Sequence, residues 1–143
     1  MGQCSCTNWK AIEKNTYPDF SYNGNKCYAK VVDIYDGDTG RIVFKENGIF
    51  KQYKFRLIGI DTPELKPPLN TPNRDEIVKK AKEAKEYVVK LILNKVVWVE
   101  MSKFDKYGRI LVNIYPKYIS KKSINQLLLE SKLGKEYFGG TKT

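Results

Sequence analysis

The chain contains no histidine, and this absence excludes more chemistry than any other feature of its composition. Nucleophilic Ser–His and Cys–His catalysis, imidazole-based zinc hydrolase sites, and nucleases with His as base or nucleophile all require that side chain. Any catalysis must therefore rest on carboxylates, Arg, Lys, Tyr or a hard metal ion. Cysteine is scarce too: Cys4, Cys6 and Cys27 have neither the number nor the spacing of a disulfide framework or a four-ligand zinc site. Free thiols and a reducing, intracellular setting are the expectation. Long apolar runs are missing, as is the apolar stretch of a signal peptide, so neither a membrane span nor a secretory leader is expected. Arginine is rare as well, four of 26 basic residues, which makes each of its positions informative.

What is present is enough for one domain: 143 residues, 41% of them apolar, supply one core and not two. A net charge of +10 gives a broad positive field suited to a polyanion. Nucleic acid is the first candidate partner and an anionic membrane surface the second. A Lys-rich solvated surface explains the charge equally well, so charge alone decides nothing.

Residues 1–25 are polar and aperiodic apart from Trp9, Ile12, Tyr17 and Phe20, and read as an N-terminal extension with at most one short helix. A domain over 26–143 follows. Apolar positions over Cys27 to Tyr35 and Arg41 to Phe44 read as two strands, and Asn47-Gly48 is a hairpin signal returning the chain into a third over Phe50 to Ile60. After a Pro-rich loop from Glu64 to Pro72, the spacing of Ile77, Ala81, Ala84, Val88, Leu91 and Ile92 predicts a helix over Asp75 to Asn94, with Asn73 and Glu76 as a capping pair. Val96 to Met101 and Ile110 to Tyr115 are two more strands. Ser123 to Leu133 is a second helix, with Ser123 and Gln126 as capping box and Gly134 as its stop. The fold class is α+β, mainly β: five strands closing into a small barrel of the oligonucleotide-binding (OB) type with two packed helices.

Three segments carry the chemistry: Asp36-Gly37-Asp38-Thr39, Arg56 to Glu64, and Asp105-Lys106-Tyr107-Gly108-Arg109. Each puts acidic or Arg residues at a border between strand and turn, where side chains converge at one end of a barrel. A hard divalent cation takes oxygen ligands, which Asp38, Asp61 and the Thr62 carbonyl can supply with water. Glu64, three residues beyond Asp61, suits a general base rather than a ligand. Arg56 and Arg109 are half of the arginines, and a guanidinium grips a phosphoryl group with two parallel hydrogen bonds where Lys acts as a point charge. Singly, each residue has a plainer explanation. Glu64 and Lys106 suit solvated charges, Tyr107 a packing residue, and Asp105 a turn or capping residue.

Taken jointly and in order, the three segments resemble the signature stretches of the staphylococcal nuclease-like family, over roughly residues 26–140. The resemblance implies a five-stranded OB barrel and Ca²⁺-dependent hydrolysis of DNA and RNA. By that likeness Asp38 and Asp61 bind calcium, Thr62 adds its carbonyl, and Glu64 positions or deprotonates water. Arg56 and Arg109 are then the catalytic arginines and Lys106 and Tyr107 contact substrate phosphate, while Tyr137 or Phe138 stacks on the nucleoside. Water would attack phosphorus in line and break the bond to the 5′ oxygen, leaving a 3′-phosphate. Because the sequence ends at Thr143, the family's final helix has no counterpart, and the N-terminal extension is expected to cover that surface. Replacing Asp38 or Arg109 is expected to abolish hydrolysis and spare the fold, both being read as rim residues. The alternatives are a non-catalytic nucleic-acid-binding OB module and a membrane-surface adaptor; the first should have lost part of the acidic and Arg set, and the second leaves that set unexplained. The reading implies no protein partner and a monomer.

The first six residues, Met1-Gly2-Gln3-Cys4-Ser5-Cys6, resemble an acylation signal, with Gly2 as a myristate acceptor and Cys4 and Cys6 as palmitate acceptors. In a eukaryotic host they would anchor the protein peripherally to a membrane, although Cys6 stands where the simple pattern prefers Ser or Thr.

Overall fold

The computed structural model describes residues 8–138. Within them a single 3-10 turn, Trp9–Ala11, precedes β1 (Lys26–Asp36), β2 (Thr39–Glu46), β3 (Ile49–Leu57), β4 (Ile60–Asp61), α1 (Arg74–Ile92), β5 (Val96–Phe104), β6 (Ile110–Tyr115), α2 (Ile124–Glu130) and β7 (Lys135–Glu136). Five strands close a barrel in the order β1-β2-β3-β6-β5, and β4 pairs with β7 in a separate two-stranded sheet. This is the OB-type α+β architecture read from the sequence. Gly2, Cys4 and Cys6 lie outside the described residues.

Alternation builds the barrel interior. Gly40, Ile42 and Phe44 on β2, Phe55 and Leu57 on β3, Val97, Val99 and Met101 on β5, and Ile110, Val112 and Ile114 on β6 are buried while their neighbours face outward. On β1 the buried set is Ala29, Val31 and Ile34, and the break in period coincides with a register shift between Val31 and Asp33. That bulge turns the end of β1 toward the site. It also requires Gly40, because a Cβ there would lie 2.2 Å from the Asp33 carbonyl oxygen. The hairpin at Asn47-Gly48 forms as its sequence suggests, with both residues at positive φ (51° and 80°). The barrel closes where β3 runs parallel to β6, Phe55 opposite Ile110 and Leu57 opposite Val112.

The helices pack by their apolar stripes: Ala81, Ala84, Val88 and Ile92 of α1, and Ile124 and Leu128 of α2, are buried. Asn125 is buried with them, and its amide donates to the carbonyls of Ile58 (2.9 Å) and Val112 (3.1 Å) and accepts from Ile114 N–H (3.3 Å). One side chain thus ties α2 to β6 and to the turn after β3, where the chain leaves the barrel for β4.

Three local expectations are corrected. Asn73 adopts a left-handed conformation (φ 56°) and makes no side-chain cap bond, so the capping pair with Glu76 does not form; α1 starts at Arg74 and ends at Ile92. At α2 the Ser123 hydroxyl does accept from Gln126 N–H (3.1 Å), but the helix ends at Glu130, and Lys132 rather than Gly134 closes it. Lys132 sits at φ 61°, and the bonds Lys132 N–H to Leu129 O and Leu133 N–H to Leu128 O form a Schellman motif. Gly134 serves close approach instead, since a Cβ there would meet Ile60 Cδ1 at 2.7 Å. Tyr22, inside the segment read as an extension, is buried in the core and bonds through its hydroxyl with Tyr53 (3.0 Å) and Glu46 (3.2 Å).

Candidate active site

The three signature segments meet at one end of the barrel. The turn between β1 and β2 presents Asp38, the end of β3 presents Arg56, β4 and the residues after it present Asp61, Thr62 and Glu64, and the turn between β5 and β6 presents Tyr107 and Arg109. They line a cavity of about 730 Å³ with Tyr35, Asp36, Thr39, Lys85 and Tyr137.

At its base lies a cluster that is nearly closed to solvent. Arg56 donates through one terminal nitrogen to Asp38 Oδ2 (3.1 Å) and through the other to Asp61 Oδ1 (3.2 Å) and the Ile60 carbonyl (3.3 Å). Thr62 N–H adds a further bond to Asp38 Oδ2 (3.1 Å). The side chains are 14% exposed for Arg56, 4% for Asp38 and 11% for Asp61. Two carboxylates that would repel each other share one guanidinium between them, which offsets the cost of desolvating all three charges. Asp38 is therefore not the rim residue expected from sequence, because the turn that carries it folds inward against Thr62 and Ala84, where a Cβ on Gly37 would meet both at 3.0 Å.

The opposite wall is a self-contained turn. Asp105 accepts from the backbone N–H of Tyr107 (2.9 Å) and Arg109 (3.0 Å) and from Arg109 Nε (2.7 Å). Its partial burial would raise its pKa, but the backbone N–H and guanidinium of Arg109, with Tyr107 N–H, outweigh that and hold the carboxyl below its ordinary range. Gly108 supplies the positive φ (78°) that the turn needs. Tyr107 is exposed, and the cations of Lys106 and Arg109 lie 5.2 and 5.3 Å from its ring centre.

Of the residues singled out from sequence, Asp38, Arg56, Asp61, Thr62, Glu64, Tyr107, Arg109 and Tyr137 share the cavity, whereas Lys106 is not among its lining residues. Glu64 stands at the mouth, exposed. Tyr137 packs its ring 5.4 Å from the Arg56 guanidinium; Phe138 is exposed and lies against Gly59. Sequence reasoning passed over two contributors. Asp36 accepts from Leu65 N–H (3.2 Å) and so holds the loop after Glu64; its place beside Asp38 in the same turn was the available signal. Lys85 on α1 flanks the buried stripe at Ala81, Ala84 and Val88, a spacing that puts it at the edge of the helix facing the barrel.

The donors near the cluster are all hard oxygens, as a divalent cation such as Ca²⁺ prefers. Thr62 Oγ1, buried beside Asp38, has no hydrogen-bond partner among the described residues. Among those residues no group of three or more His, Cys, Asp or Glu gathers in one place. The chemistry of these residues fits a cation that Asp38 and Asp61 would hold.

The signature residues, their order and their convergence at one end of an OB-type barrel define a class, and the comparisons give it a family. The profile of the family described as "Staphylococcal nuclease homologue" matches residues 54–141. The chain is 34% identical over 118 residues to the "Thermonuclease" of Staphylococcus hyicus, spanning 81% of this chain and 63% of that protein. It is 34% identical over 139 residues to an uncharacterized protein of Methanocaldococcus jannaschii, spanning 78% and 64%. The chain belongs to the staphylococcal nuclease homologue family. It spans just under two thirds of the length of these relatives. No described helix is long and apolar enough to cross a membrane.

Proposed function

We propose that the protein is a Ca²⁺-dependent nuclease that hydrolyses phosphodiester bonds of DNA and RNA by in-line attack of water, leaving 3′-phosphates. The observation that carries the reading is the convergence of Asp38, Arg56, Asp61, Glu64 and Arg109 on one cavity, within a family that includes a thermonuclease. A non-catalytic binding module would have no use for Glu64 and Arg109 placed beside that cluster.

Asp38, Asp61 and the Thr62 carbonyl would hold the cation, which when bound neutralises phosphate charge and favours ionised water. Glu64, at the mouth, takes the proton of the attacking water. Arg56 donates from both terminal nitrogens to Asp38 and Asp61, so its charge and the fixed placing of both carboxylates are what it would bring to the substrate. Arg109, anchored through Nε to Asp105, would offer its terminal nitrogens to a phosphoryl group, where donors in place before the reaction stabilise growing charge without reorganising. Tyr107 and Tyr137 form the apolar sides of the cavity against sugar and base.

The lysine-rich surface then supplies affinity that is independent of sequence. The N-terminal Gly2, Cys4 and Cys6 are proposed as acyl acceptors in a eukaryotic host, tested by intact mass of the wild type beside Gly2→Ala.

The deciding experiment incubates the pure protein with single-stranded and duplex DNA, with RNA, and with Ca²⁺ or a chelator. Cleavage with Ca²⁺ that stops in chelator and yields 3′-phosphate ends is expected. Undiminished cleavage in chelator overturns the metal-dependent mechanism. Binding without cleavage under every condition makes the protein a binding module.

A further inference from the structure

Asp61, Thr62 and Glu64 line a second groove as well, on the side bounded by the proline loop, α1 and the residues that follow α2. Its volume is about 570 Å³, within the range that holds a nucleoside-sized ligand. Pro67, Pro68, Ile77 and Leu133 give it an apolar floor, and its charged lining is Lys80, Lys132 and Lys135 with Glu83 and the shared Asp61 and Glu64. Lys80 is engaged by Glu76 at 3.5 Å. For Lys132 and Lys135 the described residues supply no ion-pair partner.

Two features show how closely this groove is joined to the candidate active site. The β4–β7 pairing sets Lys135 directly opposite Asp61, so one end of the groove begins where the carboxylate cluster ends. Gly134 lets β7 lie flush on Ile60, which leaves no room for a side chain between them. Lys132, moreover, occupies the left-handed position that closes α2, where Gly or Asn is the unstrained choice. An ammonium group is therefore held at the groove by a residue that local backbone energetics disfavour there.

We propose that this groove is a subsite for the nucleotide next to the scissile phosphate on a single-stranded nucleic acid, with the base on the Pro67, Pro68 and Leu133 floor and its phosphate on Lys132 and Lys135. The proposal rests on the nuclease reading above. An apolar floor beside Lys132 and Lys135, which have no ion-pair partner among the described residues, matches an apolar base beside a phosphate, and continuity with the cavity at Asp61 and Glu64 gives one strand a path through both. No aromatic ring lines the groove among the described residues, so the base contact is apolar and tolerant of sequence rather than a stacking platform.

The test measures equilibrium binding of end-labelled single-stranded oligothymidylates, one about two and one about six nucleotides long, in chelator at several salt concentrations. The full-length wild type, Lys132→Gly and Lys132→Arg are compared. Lys132→Gly relieves the left-handed strain, so its unfolding midpoint should stay the same or rise. Its affinity for the longer strand should nonetheless fall roughly two- to fivefold at low salt, and its salt slope should shrink by about 0.7, the value of one lost single-strand phosphate contact. The shorter strand, labelled without a terminal phosphate, has only the internal phosphate that sits at the cavity and none for Lys132, so it should bind as before; Lys132→Arg should retain wild-type affinity. Equal losses for both strands, or none for either, overturn the subsite. If the wild type neither binds nor cleaves any strand, the nuclease reading falls and the subsite with it; wild-type cleavage with an unaltered Lys132→Gly removes the subsite alone.

Discussion

Arg56 reaches Asp38 across 18 positions of sequence and Asp61 across five, in a cluster whose side chains are at most 14% exposed. Arg109 pairs with Asp105 four positions away, in a turn whose remaining bonds come from its own backbone. Both are Arg–Asp pairs in signature segments lining one cavity, yet they are built for different burdens. The inner cluster joins the β1–β2 turn, β3 and β4, so it belongs to the fold as much as to the site. The rim pair could be dismantled with only its own turn affected.

The largest expected effect breaks the inner cluster. Arg56→Ala leaves two desolvated carboxylates without their shared cation, and losing one partner of a buried pair costs about 3–5 kcal/mol. Urea unfolding should register a loss of that order together with abolished cleavage. A stable but inactive variant would show that the cluster serves the site alone.

Next in size is Arg109→Ala, expected to lower cleavage by about 10² to 10³ through loss of one charge-stabilising donor. Its unfolding free energy should change by less than about 1 kcal/mol, because the pair is partly exposed and Asp105 keeps both backbone bonds. A loss of stability equal to that of Arg56→Ala would erase the contrast.

A smaller effect is read in pH. The folded-state pKa of Asp105 lies below its ordinary value of 3.8. Its contribution to stability is thus fully present above that value and is lost as pH falls below it toward the lower folded pKa. Asp105→Asn should flatten that part of the stability profile below about pH 4. An unchanged profile would mean that the turn holds without the charge.

The smallest is Lys106→Ala. Lys106 is exposed and is not a lining residue of the cavity, so cleavage of a minimal dinucleotide should change less than twofold, about 0.4 kcal/mol, typical of a surface substitution. A tenfold loss would place Lys106 on the substrate after all.

Much of the barrel was legible because one-sided burial writes itself into sequence. Buried alternation at Ile110, Val112 and Ile114 reads as a strand, apolar residues at 3.6 spacing along Ala81 to Ile92 read as a helix, and Asn47-Gly48 reads as a tight hairpin. The membership of the three segments in one site was legible too, since their order and spacing from barrel strands leave few other places for them to meet.

What only the tertiary structure decided depends on groups distant in sequence. Asp38 reads as an exposed turn residue; its burial follows from Arg56 and from Thr62, 24 positions on, neither of which its neighbours encode. Asn125 reads as a polar residue in a short amphipathic helix, yet it satisfies two carbonyls and one N–H of other segments. The end of α2 was misplaced because Gly134 carries the usual stop signal, while Lys132 accepts a left-handed conformation that propensity alone argues against. Periodicity is a local property and survives in the order of residues, so the sequence determined the five barrel strands and the two helices and gathered the chemistry, while the small β4–β7 sheet came only with the tertiary structure. The environment of a charge is set by whatever the folded chain brings within a few ångströms of it, and that was decided only when the barrel closed.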